Sequence, residues 1–250
     1  GTLVESSTIQ ELPLNGRDLA QLITLQTGAV EYTAADKEGG KLLVVSGGRP
    51  TSNVFFIDGV AIESFGQKTP TGSSGIMLGA EGVREFRVET NAYSAEFGRG
   101  TGGIFNVASK NGTNTLHGSL FEYVRNSALD AADWQDSKFG TDKRDFQRNQ
   151  FGGSLGGPIK KDRTFYFGTY EGLRQSQGQT QQSSTFLDSE RNDPRVLAVV
   201  KPYLDLWPRP NGTDPSRPRD YIFAYTVPTN EHYIQGRVDH KLTDNDTVFT

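Results

Sequence analysis

The second half of this sequence consists of segments of about ten residues in which apolar and polar side chains alternate. In the clearest segment Phe151 and Leu155 share one face, while Gln150 and Ser154 share the other. Successive side chains of a β-strand point to opposite faces, so this period predicts strands. We expect strands at about residues 117–125, 147–157, 163–174 and 231–242, and a last one that runs to Thr250.

Two architectures produce this alternation. A soluble antiparallel sheet with one solvated face does so, and so does a membrane barrel whose strands are apolar outside and polar inside. The connections favour the barrel, because a short turn at residues 157–162 is followed by a long polar stretch at 175–230 with clustered prolines. Short turns at one end and long loops at the other are typical of outer-membrane barrels. Such a long loop is unusual in a compact soluble sheet, which stays the alternative.

The first 112 residues lack these alternating ten-residue segments, and their pattern predicts a small α/β domain. Asn15 is a candidate N-cap for a helix that carries Leu19, Leu22 and Ile23 on its apolar face. Gly28 is placed to end this helix.

Short strands are expected to complete this domain. Asp58-Gly59 is a strong signal for a two-residue hairpin. Further on, alternation puts Val83 on the same face as Glu85, with Phe86 on the other face. We expect strands at residues 41–46, 54–57, 60–62, 83–90 and 104–107, and a polar loop at 31–40.

Two motif matches resemble catalytic or cofactor motifs without their context. The G-x-G-x-x-G at residues 98–103 precedes a strand-like run, whereas a dinucleotide site needs a helix there. We therefore expect a tight turn in which two backbones approach closely. Ser154 lies in G-x-S-x-G but lacks the apolar strand before it and the helix after it that a nucleophile elbow requires. His117, His232 and His240 are not spaced for zinc. We expect no enzyme, no cofactor and no metal.

Composition removes further classes of protein. The chain has no cysteine, so it has neither disulfides nor thiolate metal sites. Its 26 basic and 30 acidic residues are mixed along the sequence, which leaves no electrostatic footprint for nucleic acid. The longest apolar runs are five residues, against about 20 for a membrane helix.

Several segments in this order resemble a known family. They are IDGV at residues 57–60, VREFRV at 83–88, EFGRGTGGIFNV at 96–107 and SK at 109–110. Together they resemble the plug domain of TonB-dependent outer-membrane receptors. LPLNGR at 12–17 and FGGSLGGP at 151–158 are similar to the Oar-like branch, in which a carboxypeptidase-regulatory-like domain commonly precedes the plug.

The resemblance implies a fold and a location. We expect a small α/β (α+β) plug domain at residues 1–112, followed by the opening antiparallel strands of a transmembrane β-barrel at 113–250. A plugged barrel of this kind has about 22 strands, so we interpret the chain as a fragment of a longer protein. The location implied is the bacterial outer membrane, with the plug inside the barrel and reached from the periplasm.

The resemblance also implies a function: the plug gates energised passage of a bound substrate. The implied partners are the inner-membrane TonB complex, through an N-terminal segment outside this chain, outer-membrane lipid and an unknown transported substrate. The alternatives are an Oar-like protein for adhesion or protein export, and a soluble β-rich binding module. The loop at 63–74 resembles an apical loop of the family, and its candidate substrate-binding residues are Phe65, Gln67, Lys68, Thr69, Thr71, Ser73 and Ser74.

Overall fold

The structure of the chain is a computed structural model. It describes residues 2–5, 9, 12, 14–33, 41–62, 72, 76–90, 102–132, 134, 143–212 and 214–250. The chain divides into two compact units. One contains Gly1–Val124, Arg148–Arg174 and Thr229–Thr250, and the other contains Arg125–Gln147 and Gln175–Pro228.

Strands dominate the described residues. In chain order the strands and α-helices are β1 (Thr2–Glu5), α1 (Gln21–Thr24), β2 (Ala29–Thr33), β3 (Lys41–Val45), β4 (Val54–Ile57), β5 (Val60–Ala61), β6 (Val83–Glu89), β7 (Ile104–Ser109), β8 (His117–Asn126), β9 (Phe146–Lys160), β10 (Thr164–Ser184), α2 (Asp188–Arg191), α3 (Lys201–Leu204), β11 (Asp220–Lys241) and β12 (Thr247–Phe249). Short 3-10 helices lie at Asn15–Arg17, Pro50–Ser52, Ala80–Gly82 and Ser127–Leu129. None of the helices seen in these residues is long and apolar enough to cross a membrane.

Five strands form a mixed sheet, which we call the N-terminal sheet, in the order β1-β6-β7-β4-β5. β4 runs parallel to β7, and the other pairs are antiparallel. The predicted hairpin between β4 and β5 is confirmed: Asp58 and Gly59 have φ of 49° and 82°, the positive values that a tight type I′ turn requires. β2 and β3 form a separate antiparallel pair.

Aromatic rings fill the core of the N-terminal sheet. Phe86 and Phe105 are completely buried, and the ring of Phe105 stacks on that of Phe55 at a centroid distance of 4.7 Å. Leu22 and Ile23 of α1 join the same buried cluster. The apolar face predicted for residues 15–28 is therefore buried as expected.

The helix predicted there is much shorter than its pattern suggested. Only the four residues of α1 are α-helical, after a separate 3-10 turn at Asn15–Arg17. Asn15 is not the N-cap, because Asp18 interrupts the segment with an extended backbone and its carboxylate accepts the N–H of Ala20 at 3.0 Å. A side chain that binds the local backbone in this way competes with helix formation.

Two further expectations for the N-terminal half are wrong. Residues 29–33 form β2, although 31–40 were expected to be a loop, because their backbone pairs with β3 from Ala29 to Thr33. Val83 is buried and does not share the partly exposed face of Glu85, because the pairing of β6 with β7 shifts between these residues. A bulge of this kind reverses the alternation at one point in a strand.

The other five strands form a meander, which we call the C-terminal sheet, in the order β12-β11-β10-β9-β8. All five strands predicted from alternation are present. β9 continues to Lys160, so the short turn narrows to residues 161–163. β10 continues to Ser184 and β11 begins at Asp220, so the long connection is 185–219, not 175–230, and it contains α2 and α3. Backbone pairing continues through polar Gln, Ser and Thr residues, where the alternation of hydropathy no longer marks a strand.

The second unit has its own anchor in the buried side chain of Arg191. Its guanidinium donates to the carbonyls of Phe186, Leu204, Trp207 and Pro208. One residue thus satisfies carbonyls on both sides of α3. Three stacked rings on β11, those of Tyr221, Phe223 and Tyr225, also belong to this unit.

Candidate functional site

The residues predicted to bind substrate, Phe65, Gln67, Lys68, Thr69, Thr71, Ser73 and Ser74, lie outside the residues that the structure describes. The described parts of the first unit bring a different set of polar residues together. They lie between the N-terminal sheet, with the loops that join its strands, and one face of the C-terminal sheet. We call that face, which carries Ser119, Gln150, Glu171 and Arg237, the inner face.

The first contact is a buried ion pair on Glu81. Arg17 Nη2 lies 2.7 Å from Glu81 Oε1, and both residues are buried. Ser119 of β8 donates its hydroxyl to Glu81 Oε2 at 2.8 Å, and Lys110 Nζ lies 3.9 Å from the same oxygen. The guanidinium carbon of Arg17 also lies 4.2 Å from the ring centre of Phe121, which is a cation–π contact.

These partners set the charge of the cluster. Burial acts to raise the pKa of Glu81, but the hydrogen bonds from Arg17 and Ser119 and the charges of Arg17 and Lys110 outweigh it and lower this pKa. Burial lowers the pKa of the Lys110 ammonium, against the attraction of Glu81. Glu81 is therefore ionised at neutral pH and holds the two elements together by charge-assisted hydrogen bonds.

The second contact is made by Glu171 of β10, whose side chain is fully buried. Its Oε2 accepts the backbone N–H of Gly79 at 2.7 Å, and its Oε1 accepts the side-chain amide of Gln150. Gly79 has φ of 102°, and a Cβ there would lie 2.6 Å from the ring of Tyr233. Only glycine allows the backbone to come this close to the inner face.

The third contact joins the hairpin turn to β11. Ser109 donates its backbone N–H to Asp58 Oδ1 at 2.9 Å and its hydroxyl to Oδ2 at 2.5 Å. Arg237 Nη1 donates to Asp58 Oδ1 at 3.2 Å and to Ser109 Oγ at 3.0 Å. The same guanidinium also binds Asp239, at 2.8 Å from Nη2 to Oδ1. Arg237 thus connects the N-terminal sheet to a carboxylate on its own strand.

A cavity of about 460 Å³ lies beside these contacts, between the N-terminal sheet and β11. Its walls are mostly apolar, with Leu19, Ile57, Met77 and Tyr233 among them, and Ser109 contributes a polar group. Within the described part of the chain, every buried side-chain nitrogen and oxygen has a hydrogen-bond partner. The contacts between the elements are therefore closed and satisfied in this structure.

The described residues of the two motif matches form no catalytic or cofactor site, and residues 98–101 of the glycine-rich match lie outside the described residues. Ser154 lies inside β9, and its hydroxyl is 2.9 Å from that of Ser119. The segment after residue 103 is strand β7, as predicted, and a Cβ on Gly102 would lie 3.0 Å from the backbone of Ser52, so the expected close approach of two backbones is confirmed. The described ranges contain no group of three or more side chains that could hold a metal ion.

The opposite face of the C-terminal sheet, which we call the outer face, is apolar and exposed. Leu120 is 92% exposed, Ile234 77% and Leu155 50%. Each lies next in sequence to an inner-face position, so the predicted alternation separates a polar inner face from an apolar outer one. A protein in water rarely exposes a contiguous apolar surface, whereas a barrel wall in lipid requires one.

The sequence identifies Asp58 as a turn residue but does not identify Arg237 as its partner. Arg17, Glu81 and Glu171 received no role. A signal was present for two of them: Glu81 follows a glycine-containing turn before a strand, and Glu171 interrupts an aromatic strand at an inner position.

Comparisons with known proteins agree with this arrangement. Residues 108–250 match the family described as "Outer membrane beta barrel domain". The TonB-dependent transporter Oar of Myxococcus xanthus is 31% identical over 127 residues, which are 49% of this chain and 12% of that protein. This chain therefore spans a small part of the length of that relative. The match confirms the resemblance to TonB-dependent receptors that the motifs indicated.

Solved structures show the same fold. The siderophore receptor PirA from Acinetobacter baumannii superposes with a TM-score of 0.59 at 18% identity, over 99% of this chain and 30% of that one. The outer membrane transporter YddB from Escherichia coli gives a TM-score of 0.57 at 14% identity, over 98% and 31% of the two chains. These comparisons indicate a bacterial outer-membrane location and leave no support for the soluble alternative. The family match covers more than half of the residues of this chain, so the chain belongs to the outer membrane beta barrel domain family.

Proposed function

We propose that this chain is the plug, residues 1–112, and the opening barrel strands, residues 113–250, of a TonB-dependent outer-membrane transporter. In this proposal the plug gates energised passage of a bound substrate through the barrel. The observation that carries it is the set of polar contacts on Glu81, Glu171 and Arg237. They join the N-terminal sheet and its loops to the inner face of the wall.

The chemistry of these contacts suits a gate. Separating an apolar interface exposes surface to water at a cost of about 25 cal/mol per Å². A hydrogen bond to a charged group can be exchanged for bonds to water, so its net contribution is about 1.5–3 kcal/mol. Contacts of the second kind hold the closed state and still release when a pulling force acts on the plug. The TonB complex would supply that force through a segment N-terminal to this chain.

The loop at residues 63–74 is the proposed place for substrate on the plug. Phe65 supplies a ring for stacking, Lys68 a positive charge, and Gln67, Thr69, Thr71, Ser73 and Ser74 supply hydrogen-bonding groups. The described residues on either side of this loop, Ile62 and Ile76, line the cavity beside β11. A substrate on the loop would therefore sit near the space that opens when the plug moves.

The proposal is tested on the full-length protein in three steps. Purified receptor is first screened for binding against iron chelates, oligosaccharides, oligopeptides and folded proteins. Uptake of the bound class is then measured in cells with and without TonB. We expect a small ligand whose uptake is lost without TonB. Binding of folded protein alone, or uptake that is independent of TonB, would favour the adhesion or export alternative.

The third step tests the loop. Phe65→Ala and Lys68→Gln are each expected to weaken binding of that ligand by about tenfold, since each removes one strong contact. Thr51→Ala, an exposed change in a 3-10 helix of the same half, serves as the matched control. Unchanged affinity in both loop variants would reject this loop as the substrate site.

A further inference from the structure

The outer face of the C-terminal sheet has a feature that gating does not use. A groove of about 1010 Å³ crosses β8–β11. Gly153 and Gly168 lie in it, and its sides are Leu120, Leu155, Tyr166, Tyr170 and Ile234. A Cβ on Gly168 would meet no atom closer than 3.8 Å, so the groove is open at this point because the residue has no side chain.

A polar and aromatic cluster adjoins this groove at Tyr170. Arg174 Nη2 donates to His232 Nε2 at 2.8 Å, and Tyr170 Oη lies 2.9 Å from His232 Nδ1. The guanidinium of Arg174 lies 5.8 Å from the ring centre of Phe151. A Cβ on Gly172 would lie 2.8 Å from the Phe151 ring and 3.0 Å from Tyr170 Oη, so the missing side chain lets this cluster close.

The hydrogen-bond chemistry of the cluster leaves a donor for a ligand. Arginine only donates, so Nε2 of His232 accepts and its single ring hydrogen is on Nδ1. That hydrogen is donated to Tyr170 Oη, which frees the Tyr170 hydroxyl hydrogen for another acceptor. Arg174 also donates from Nη1 to the carbonyls of Leu173 and Glu231. These bonds fix the guanidinium on the outer face.

Two charges on this face have no ionic partner among the residues that the structure describes. No described carboxylate pairs with Arg174, and no described cation pairs with Glu122, which lines the groove on β8. A charge at a lipid-facing surface is costly unless it lies near the head groups or meets an opposite charge. The surface therefore offers a cation, a hydroxyl donor and a carboxylate acceptor around one apolar groove.

The position along the strand indicates which leaflet meets the cluster. From Thr164, next to the short turn, to Arg174 there are ten residue steps, which is about 33 Å of strand and about 25 Å of height at the usual tilt. This is the height of the apolar band of an outer-membrane barrel. Long loops of such barrels face outward, and β10 continues from Arg174 toward the long connection. Arg174 thus lies at the head groups of the outer leaflet.

We propose that this surface binds one molecule of lipid A, the acylated and phosphorylated disaccharide of the outer leaflet. An acyl chain lies in the groove over Gly168. A phosphate accepts hydrogen bonds from Arg174 and Tyr170, and sugar hydroxyls donate to Glu122. This site is independent of the proposed transport function, because none of its residues belongs to the plug or faces it.

The test uses full-length receptor purified from membranes in mild detergent, with native mass spectrometry to count bound lipid. Added lipid A, phosphatidylglycerol and phosphatidylethanolamine are the probes. Wild-type protein is expected to retain lipid A at least tenfold better than either phospholipid. Arg174→Gln and Gly168→Leu, which fills the groove, are each expected to reduce lipid A retention at least tenfold. Arg163→Gln at the short turn is the matched control and is expected to retain lipid A like the wild type.

Each result has a defined meaning once the heat-dependent gel shift shows that every variant is a folded barrel. Equal lipid A retention by wild type, Arg174→Gln and Gly168→Leu would overturn the site. A preference of the wild type for either phospholipid would overturn lipid A as the occupant. Loss of lipid A in Arg163→Gln to the same degree would mean that retention depends on positive charge outside the Arg174 site, which also contradicts the proposal.

Discussion

Removing the Glu81 carboxylate is expected to loosen the N-terminal sheet within the intact receptor. Glu81 is 5% exposed and has Arg17, Ser119 and Lys110 as partners. Glu81→Ala leaves the Arg17 guanidinium buried without its counter-charge. Breaking a buried ion pair by removing one partner costs about 3–5 kcal/mol. The cation–π contact to Phe121 remains and puts the expected value at the lower end of that range.

Amide hydrogen exchange on full-length protein measures this loss. A loss of about 3 kcal/mol in local opening free energy corresponds to exchange about 100-fold faster in β6 and β7, since each 1.4 kcal/mol is a factor of ten. Arg87→Ala is the control. It breaks an ion pair to Glu89 on the same sheet, but its arginine is 59% exposed, so a change under about 1 kcal/mol is expected. If Glu81→Ala accelerates exchange no more than Arg87→Ala, the reasoning fails.

The remaining predictions use stability and folding of the same full-length protein. Protection of β6 amides is expected to fall as pH drops below about 4.5. The folded-state pKa of Glu81 is lowered from 4.5, so the stability that its ionised form contributes is lost as pH falls through that folded value. Glu81→Gln should remove this dependence. Phe105→Ala is expected to lower the free energy of unfolding of the N-terminal sheet by about 3–5 kcal/mol, since the ring is fully buried. Amide hydrogen exchange at increasing urea concentrations measures this loss. Gly112→Ala should abolish the heat-dependent gel shift of a folded barrel, since the added Cβ would collide with backbone atoms of Tyr166 and Gly157. Gly236→Ala is the control and should fold normally, because a Cβ there meets no atom within 4 Å. A retained shift in Gly112→Ala would contradict that account.

The wall strands could be predicted because one face of each is apolar and the other polar. Leu155 and Ser154, for example, are apolar and polar neighbours on opposite faces of β9, and this alternation is visible in the sequence without knowledge of the neighbouring strands. The upper part of β10 could not be predicted, because Gln177 and its neighbours pair through backbone groups that carry no side-chain signal. The prediction of one helix over residues 15–28 was wrong for another reason. Leu22 and Ile23 have helical spacing, but a single carboxylate, Asp18, binds the backbone at Ala20 and at Met77, 59 residues away.

The polar contacts between the sheets were beyond sequence reasoning for a related cause. Asp58 and Arg237 lie 179 residues apart, and neither has a local pattern that names its partner. The chain does indicate where a charge is unusual, as at Glu171 between aromatic residues. It does not indicate what satisfies that charge, because the backbone N–H of Gly79 is available only after its φ of 102° has formed.

The most direct test of the gate is a disulfide between the proposed plug and the wall. A Cβ on Gly82 would lie 3.0 Å from Thr169 Cγ2, which is close enough for Gly82→Cys with Thr169→Cys to cross-link after a small shift of the Gln235 side chain. The 250 residues contain no competing cysteine. Gly82→Cys alone and Thr169→Cys alone, oxidised in the same way, are the controls, because each carries one of the substitutions without the cross-link.

Uptake of the ligand found in the binding screen is measured in cells before and after reduction, with cross-linking verified by mass spectrometry. The account predicts that the oxidised Gly82→Cys/Thr169→Cys receptor stops uptake, that a reductant restores it, and that oxidation does not change uptake in either single-cysteine receptor. Undiminished uptake through fully cross-linked Gly82→Cys/Thr169→Cys receptor would contradict the claim that the N-terminal domain moves to open the barrel.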